Sequence, residues 1–349
     1  MAKAEYIWAV GDIHGFASSL AAVLKKIEEF NTKRIIYVGD YIDRGPQPKE
    51  VIDLILEHQH ENIRLMGNHE MMFLNSAGGE EKNPKAILEW SQNGYETTLK
   101  SFGASDVSSL MKNLDQKYHD FFNSLGIFHV ETLGTGKKPI SLLFCHAGPF
   151  LGFPIEEQIG IKNFADFNAY LEKNNLSAQD SCLWNTDKLL QKSMSSWDNY
   201  LVVHGHMRTQ YRTSRNRLQY GASEKEYNYD LSDIPNPLYF PGGAAVSALD
   251  IDTGVDIGGK LTAVGFCSEN IDFTRGKILI KVIQADASKR SKGSNAVVFD
   301  LSLPFTDEIG WFGKILKKLS GSKKKKKAPP AEHQHGEHSH GAHSHGGHH

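Results

Sequence analysis

Three short stretches near the N-terminus combine the side chains that hydrolytic metal chemistry requires: Gly11-Asp12-Ile13-His14-Gly15, Gly39-Asp40-Tyr41-Ile42-Asp43-Arg44-Gly45 and Gly67-Asn68-His69-Glu70. Carboxylate, imidazole and amide oxygen together form a donor set for hard to borderline divalent ions such as Mn, Fe or Zn, and one carboxylate can bridge two of them. Asp12, His14, Asp40 and Asn68 supply such donors, and His146 and His206 extend the set further along the chain. Two ions about 4 Å apart would each take a phosphoryl oxygen and lower the pKa of a bridging water. His69, beside Asn68, is placed to protonate a leaving oxygen, and a carboxylate such as Asp43 would fix its tautomer and raise its basicity. Arg44 offers a planar fork for two phosphate oxygens.

These residues need a scaffold that brings them to one place, and the apolar pattern supplies one. Residues 7–10, 35–38 and 63–66 are short apolar runs that read as strands, each ending in Gly followed by Asp12, Asp40 or Asn68, which stand 28 residues apart. That interval is about one strand-helix unit of a parallel sheet. Between the runs, Leu20, Val23, Leu24 and Ile27 fall on one helical face, as do Val51, Ile52, Ile55 and Leu56 after Pro46 and Pro48. All three polar residues are therefore expected at one edge of one sheet, where the loops of open α/β sheets bind ligands. A single Gly-Asp at a strand end is an ordinary turn. Two further runs, 141–145 and 200–203, stop at His146-Ala147-Gly148 and His204-Gly205-His206, and five such endings in one chain exceed what turn chemistry explains.

The remaining segments are less patterned. Residues 71–130 read as helices flanking the sheet, with 84–90 and 116–125 the clearest, and 150–198 as a helical cap or insertion anchored by Trp184 and Trp197. Four later runs, 245–251, 260–266, 277–283 and 296–301, are expected to form a second sheet packed on the first. A catalytic domain over 1–303 would then be followed by an amphipathic basic helix at 304–322 and a Lys-rich, then His-rich, disordered tail at 323–349.

With 349 residues, 40% of them hydrophobic, the chain has enough apolar material for a packed core. A net charge of -2 gives no whole-molecule attraction to nucleic acid, and no nucleic-acid partner is expected. Three cysteines without short spacing suit a reducing compartment, and no apolar run approaches the roughly 18 residues of a spanning helix, so a cytoplasmic protein is expected. In the tail, Trp311, Phe312, Ile315, Leu316 and Leu319 form an apolar stripe beside lysines, so residues 307–327 are a candidate for peripheral contact with the inner membrane surface. The alternative is that this face packs on the catalytic domain. Eight of the seventeen histidines lie between His333 and His349 and could chelate extra metal ions.

The three N-terminal stretches resemble, in order and spacing, the three signatures of the PPP-type serine/threonine protein phosphatases within the calcineurin-like metallophosphoesterases. His146-Ala147-Gly148 and His204-Gly205-His206 resemble the later histidine motifs of the bacterial branch. The stretch from Asp250 to Gly254, followed by Gly258 to Ala263, is similar to a segment common there. The resemblance spans residues 5–268. It implies a four-layer α/β/β/α fold, a β-sandwich of two mixed sheets flanked by helices, with two metals and direct in-line attack by a metal-bound hydroxide on a phosphomonoester. On this basis Asp12, His14 and Asp40 hold one ion, and Asp40, Asn68, His146 and His206 the other. His69 is the general acid, Asp43 its partner, and Arg44, Asn68 and His69 contact the substrate. Because the ligand follows the glycine in the last motif of relatives, His206 is chosen over His204.

Departures from the pattern bear on the substrate. Met207 stands where threonine is frequent, and Leu183-Trp184-Asn185-Thr186 lacks an arginine that relatives often carry, leaving Arg208, Arg212 and Arg215 as replacements for a second phosphate arginine. The family includes symmetrical diadenosine tetraphosphate hydrolases, which tend to vary at the positions of Asp43 and Glu70. The expected activity is therefore a serine/threonine protein phosphatase using Mn, with Fe or Zn as alternatives. The competing readings are a symmetrical diadenosine tetraphosphate hydrolase, a small-molecule phosphatase, and a catalytically silent membrane-associated or metal-binding scaffold.

Overall fold

The computed structural model describes residues 4–79, 82–134, 139–185, 200–209, 238–242, 245–272, 277–287 and 295–304. All of them fall within one compact unit, Met1–Glu308. Trp197, Arg212, Arg215, the amphipathic segment from residue 305 onward, the Lys run and the His-rich tail lie outside the described residues.

Strands β1 (Glu5–Val10), β2 (Asn31–Tyr37) and β3 (Glu61–Arg64) pair in parallel, and helices α1 (Ala17–Ile27) and α2 (Pro48–Glu57) connect them. Helix α1 buries Leu20, Val23, Leu24 and Ile27 along one face, and Lys25 and Lys26 in its last turn meet the partial negative charge of its C-terminus. Pro48 opens α2 where a missing N–H costs nothing, and Glu50 sits in its first turn. Five helices follow: α3 (Asn68–Asn75), α4 (Pro84–Ser91), α5 (Glu96–Ser101), α6 (Val107–Asn113) and α7 (Gln116–Asn123).

The second sheet begins with β4 (His129–Leu133), a strand that the sequence pattern did not reveal, and β5 (Ile140–Phe144). Helices α8 (Ile155–Gln158) and α9 (Phe164–Asn174) then precede β6 (Tyr200–His204), β7 (Leu238–Gly242) and β8 (Ala245–Asp250). This sheet has the order β4-β5-β6-β8-β7. Trp184 packs, partly buried, against the core as expected.

The late strands do not form a sheet of their own, as the sequence suggested; they divide between two. β8 pairs in parallel with β6, whereas β9 (Lys260–Phe266) pairs antiparallel with β1 and then with β11 (Lys277–Asp286), which in turn pairs with β10 (Ile271–Asp272) and β12 (Ala296–Pro304). Burial accounts for this. β1 is covered on both faces and central, so its second edge needs a neighbour, and β9, buried over six of its seven residues, is apolar enough to be that neighbour.

Alternate residues of the strands enter different apolar clusters. Ile7, Ala9, Ile36 and Val38 of the first sheet join Leu142, Phe144, Val203 and Leu249 of the second in the layer between the sheets. Tyr6, Trp8, Val10, Ile35 and Tyr37, together with Leu143 and Val202, belong instead to the cluster that includes the helical residues Leu20, Val23, Trp90 and Phe167. The result is an α/β fold with two mixed sheets face to face and helices outside them. Among the described residues no helix is long and apolar enough to cross a membrane.

Candidate active site

The loops after β1 and β2 are joined through their backbones. Ile13 and His14 donate N–H groups to the Asp40 carbonyl at 3.0 and 2.9 Å, and Gly15 donates to the Tyr41 carbonyl at 2.8 Å. Glu70, in the first turn of α3, organises the second loop from beneath. Its carboxylate accepts from the backbone N–H groups of Gly67 (3.0 Å), Asp40 (2.9 Å), Tyr41 (2.8 Å) and Ile42 (3.3 Å). Nothing in the sequence pointed to this role for Glu70, which shapes the loop that carries Asp40, Asp43 and Arg44.

The backbone of this region is strained. Among the described residues six other than glycine have positive φ, and five of them are His14 (46°), Asp40 (55°), Asp43 (69°), Arg44 (65°) and His206 (72°). Such conformations cost about 1–3 kcal/mol each and persist where surrounding structure over-determines them. They aim their side chains into one small volume. Gly205 also belongs to this arrangement, because a Cβ there would overlap the Asp12 carboxylate.

Two groups of metal-binding atoms share Asp40. His14, Asp40 and His69 form one, Asp40, His146 and His206 the other, with the donor atoms of each within 4.8 Å of one another. Asp12 lies alongside, its carboxylate accepting from the backbone N–H of His206 at 3.0 and 3.2 Å. Asn68 Oδ1 is 2.9 Å from His146 Nε2 and 3.0 Å from His206 Nδ1. His204, by contrast, faces the Gly205 carbonyl through Nδ1 at 3.0 Å and is in neither group. The six residues expected as ligands from sequence are thus brought together, with His206, and not His204, in a group of candidate metal-binding atoms.

The donor set fits metal ions. His14 Nδ1 lies 3.0 Å from the Ile42 carbonyl and His146 Nδ1 2.9 Å from the Val38 carbonyl. A carbonyl only accepts, so each Nδ1 carries the proton and each Nε2 turns a lone pair inward, the arrangement seen in metal-binding histidines. His146 Nε2 then faces the Asn68 carbonyl oxygen, acceptor against acceptor, which a cation between them resolves.

The electrostatics agree. Burial, with the Arg44 guanidinium beside it, pulls His14 down to about 3, and burial also lowers His146, so both are neutral near pH 7, the form in which an imidazole binds metal. Burial raises the Asp12 carboxyl well above its usual range, with Asp252 and Asp40 adding to the effect. Burial alone would raise Asp40 too, but His146, His69 and His14 outweigh it and hold the carboxyl well below the usual range.

Beside this cluster His69 and Asp43 form a dyad. His69 Nδ1 is 2.6 Å from Asp43 Oδ2, and both side chains are fully excluded from solvent. Asp43 is itself held by Trp90 Nε1, which donates to Oδ2 at 2.7 Å, and by Thr98 Oγ1, which donates to Oδ1 at 2.5 Å. His69 Nε2 is buried without a hydrogen-bond partner among the described residues and lies 3.9 Å from Asp40 Oδ2. Arg44 Nη1 sits 2.8 Å from His14 Nε2.

Residues 6–236, more than half of the chain, match the profile of the calcineurin-like phosphoesterases. The chain belongs to this family. Its curated relatives within it include serine/threonine-protein phosphatase 2 of Salmonella typhimurium, 27% identical over 60% of this chain and 83% of that protein. Serine/threonine-protein phosphatase 2 of Escherichia coli is 40% identical over 20% of this chain and 31% of its own length. The symmetrical bis(5'-nucleosyl)-tetraphosphatase of Neisseria gonorrhoeae is 35% identical over 21% of this chain and 27% of its own. The chain therefore spans about a third or less of the latter two. Among solved structures, a metallophosphoesterase from Sphaerobacter thermophilus aligns over 91% of this chain and 94% of its own, at 13% identity and a TM-score of 0.35.

This calcineurin-like phosphoesterase also contains site residues that sequence reasoning missed. Trp90 and Thr98 come from helices α4 and α5 and had no motif to announce them. Asp256 receives Arg44 Nη1 at 3.1 Å on Oδ2 and Arg208 Nε at 2.8 Å on Oδ1, and Arg208 Nη2 also reaches Oδ2. The one available signal was an acidic residue between Gly254 and Gly258, inside the segment that resembles relatives. Where an arginine is frequent in relatives, Asn185 instead donates to the Pro149 carbonyl at 3.4 Å.

Proposed function

We propose that the chain is a metal-dependent phosphomonoester hydrolase that acts on phosphoserine and phosphothreonine in proteins. In this reading Asp12, His14 and Asp40 hold one divalent ion and Asp40, Asn68, His146 and His206 a second, with Mn favoured over Fe or Zn. When bound, the ions supply Lewis acidity toward phosphoryl oxygens and make water acidic enough to attack phosphorus in line near neutral pH. Arg44 binds phosphate oxygens through its planar fork, and Asn68 and His69 line the same space. His69 gives a proton from Nε2 to the leaving oxygen, and Asp43 holds Nδ1–H and stabilises the imidazolium that does so.

The single observation that carries the proposal is His69 itself. Its Nδ1 is locked on Asp43, and its Nε2, buried and unpartnered among the described residues, lies 3.9 Å from Asp40, the residue that the two groups share. A leaving-group acid next to a shared-carboxylate metal site is the arrangement phosphoester hydrolysis needs. Protein phosphatase is favoured over nucleotide hydrolase on two grounds. The S. typhimurium phosphatase match covers 83% of that protein against 27% for the nucleotide hydrolase. Asp43 and Glu70, at positions where nucleotide hydrolases vary, both have structural partners here. The three buried, unpaired cysteines suit a reducing compartment, and we place the enzyme in the cytoplasm.

The test compares one preparation, with added Mn, on phosphoserine, phosphothreonine and phosphotyrosine peptides, diadenosine tetraphosphate and p-nitrophenyl phosphate. Metal-dependent turnover of the first two, abolished in Asp40→Asn, is expected. Preference for diadenosine tetraphosphate moves the chain to the nucleotide hydrolases, and no metal-dependent turnover of any substrate defeats the enzyme reading.

A further inference from the structure

Asp256 is a buried carboxylate with two arginines on it. Its side chain is 3% exposed, while those of Arg208 and Arg44 are 20% and 29% exposed. Arg208 approaches with Nε and Nη2 on the two carboxylate oxygens, the bidentate fork geometry, and Arg44 Nη1 shares Oδ2. Arg44 Nη1 also touches His14, one of the proposed metal ligands, so the pair stands at the edge of the metal cluster. Arg208 follows His206 by two residues, and its segment is tied to the loop of Asp256 by a hydrogen bond from Thr209 N–H to the Asp252 carbonyl at 2.9 Å.

Two guanidinium groups drawn to one oxygen repel each other unless a negative charge lies between them. Asp256 supplies that charge, and the two arginines hold its carboxyl well below the usual range against the effect of burial. The trio keeps a net charge of +1 beside the group of candidate metal-binding atoms that includes His14.

We infer that Arg208 is a second phosphate-binding residue and that Asp256 is the positioning residue that clasps Arg208 and Arg44 into one anion-binding pair for a phosphate monoester. The inference rests on the phosphoesterase reading above. It gives this chain, through two residues far apart in sequence, an anchor in place of the arginine absent after Leu183-Trp184.

The sign of one effect separates this from simple electrostatics. Removing a negative charge beside an anion site should tighten anion binding by Coulomb's law; removing a clasp should loosen it. The experiment is calorimetric titration of inorganic phosphate into the Mn-loaded full-length protein and its Asp256→Asn, Arg208→Ala, Arg208→Lys and doubly substituted variants. KM and kcat on p-nitrophenyl phosphate are measured in parallel.

Arg208→Ala is expected to weaken phosphate binding about 10-fold or more, consistent with loss of a charge-assisted pair. Asp256→Asn is expected to weaken it several-fold, and the double variant to be no weaker than Arg208→Ala. Arg208→Lys should recover only part of the loss, since ammonium keeps the charge but not the fork. KM should rise more than kcat falls. Tighter phosphate binding in Asp256→Asn, or unchanged binding in Arg208→Ala, overturns the inference and leaves the phosphoesterase reading intact. Should Asp256→Asn not fold, Arg208→Ala alone decides. Failure of the wild type to bind phosphate and to turn over substrate overturns both.

Discussion

His69 and Asp43 meet at 2.6 Å through Nδ1 and Oδ2, in a pocket closed to solvent on both sides. Because Trp90 and Thr98 also hold the Asp43 carboxylate, its fixed orientation leaves His69 little rotational freedom, and Nε2 is the ring nitrogen without a hydrogen-bond partner among the described residues. The orientation of His69 is thus set by Asp43 and by residues on α4 and α5.

A leaving-group acid matters in proportion to how poor the leaving group is. His69→Asn is expected to reduce kcat on a phosphoserine peptide by about 10²–10⁴-fold, the usual range for general acid catalysis. The loss on p-nitrophenyl phosphate should be far smaller, since p-nitrophenolate departs without a proton. Asp43→Asn should follow the same pattern. Steady-state kinetics on both substrates checks this, and equal losses on the two would remove His69 from the role of acid.

Glu70→Gln tests the loop scaffold rather than the chemistry. The carboxylate accepts four backbone N–H groups, whereas an amide offers one acceptor oxygen and turns an NH2 against donors. Stranding buried N–H groups should lower unfolding free energy by about 2–4 kcal/mol. Urea unfolding of the metal-free protein should show a lower midpoint at similar slope, and an unchanged midpoint would deny Glu70 its organising place.

The strand-end polar residues were legible because each obeys a local rule: Asp12, Asp40, Asn68, His146 and His204-Gly205-His206 all follow apolar runs and lie in one region of the structure. Trp90, Thr98 and Asp256 obey none. They reach Asp43 and Arg44 across 47, 55 and 212 residues, through packing that no short pattern encodes. The same limit explains the misassigned sheet. An apolar run identifies β9 as a strand, but its neighbour is decided by which edge remains uncovered, and that is a property of the whole fold.

Metal loading near pH 7 should depend on the Asp12 carboxyl rather than on His14 or His146. His14, at about 3, and His146, lowered by burial, are both neutral near pH 7 and release no proton to a metal there. Asp12, raised well above its usual range by burial, Asp252 and Asp40, must lose its proton to become a ligand. Mn affinity should therefore rise with pH, by about tenfold per unit for each proton released, and level off above the raised Asp12 value. Titration calorimetry in two buffers of different ionisation enthalpy counts the protons; an affinity independent of pH, with no proton released, would contradict the assignment.

Asp40 is both the residue shared by the two groups of candidate metal-binding atoms and one of the residues with positive φ. Asparagine tolerates that backbone about as well as aspartate, and alanine does not, by about 1–2 kcal/mol. In the absence of metal, Asp40→Asn should therefore unfold close to wild type, and Asp40→Ala about 1 kcal/mol or more below it. Adding Mn at about 100 times its Kd should stabilise the wild type by about 2.7 kcal/mol. Neither variant should respond, because each lacks the carboxylate that both ligand groups share. Thermal unfolding with and without Mn separates the backbone effect from the charge effect. A full metal response in Asp40→Asn would mean that the two groups do not depend on this carboxylate.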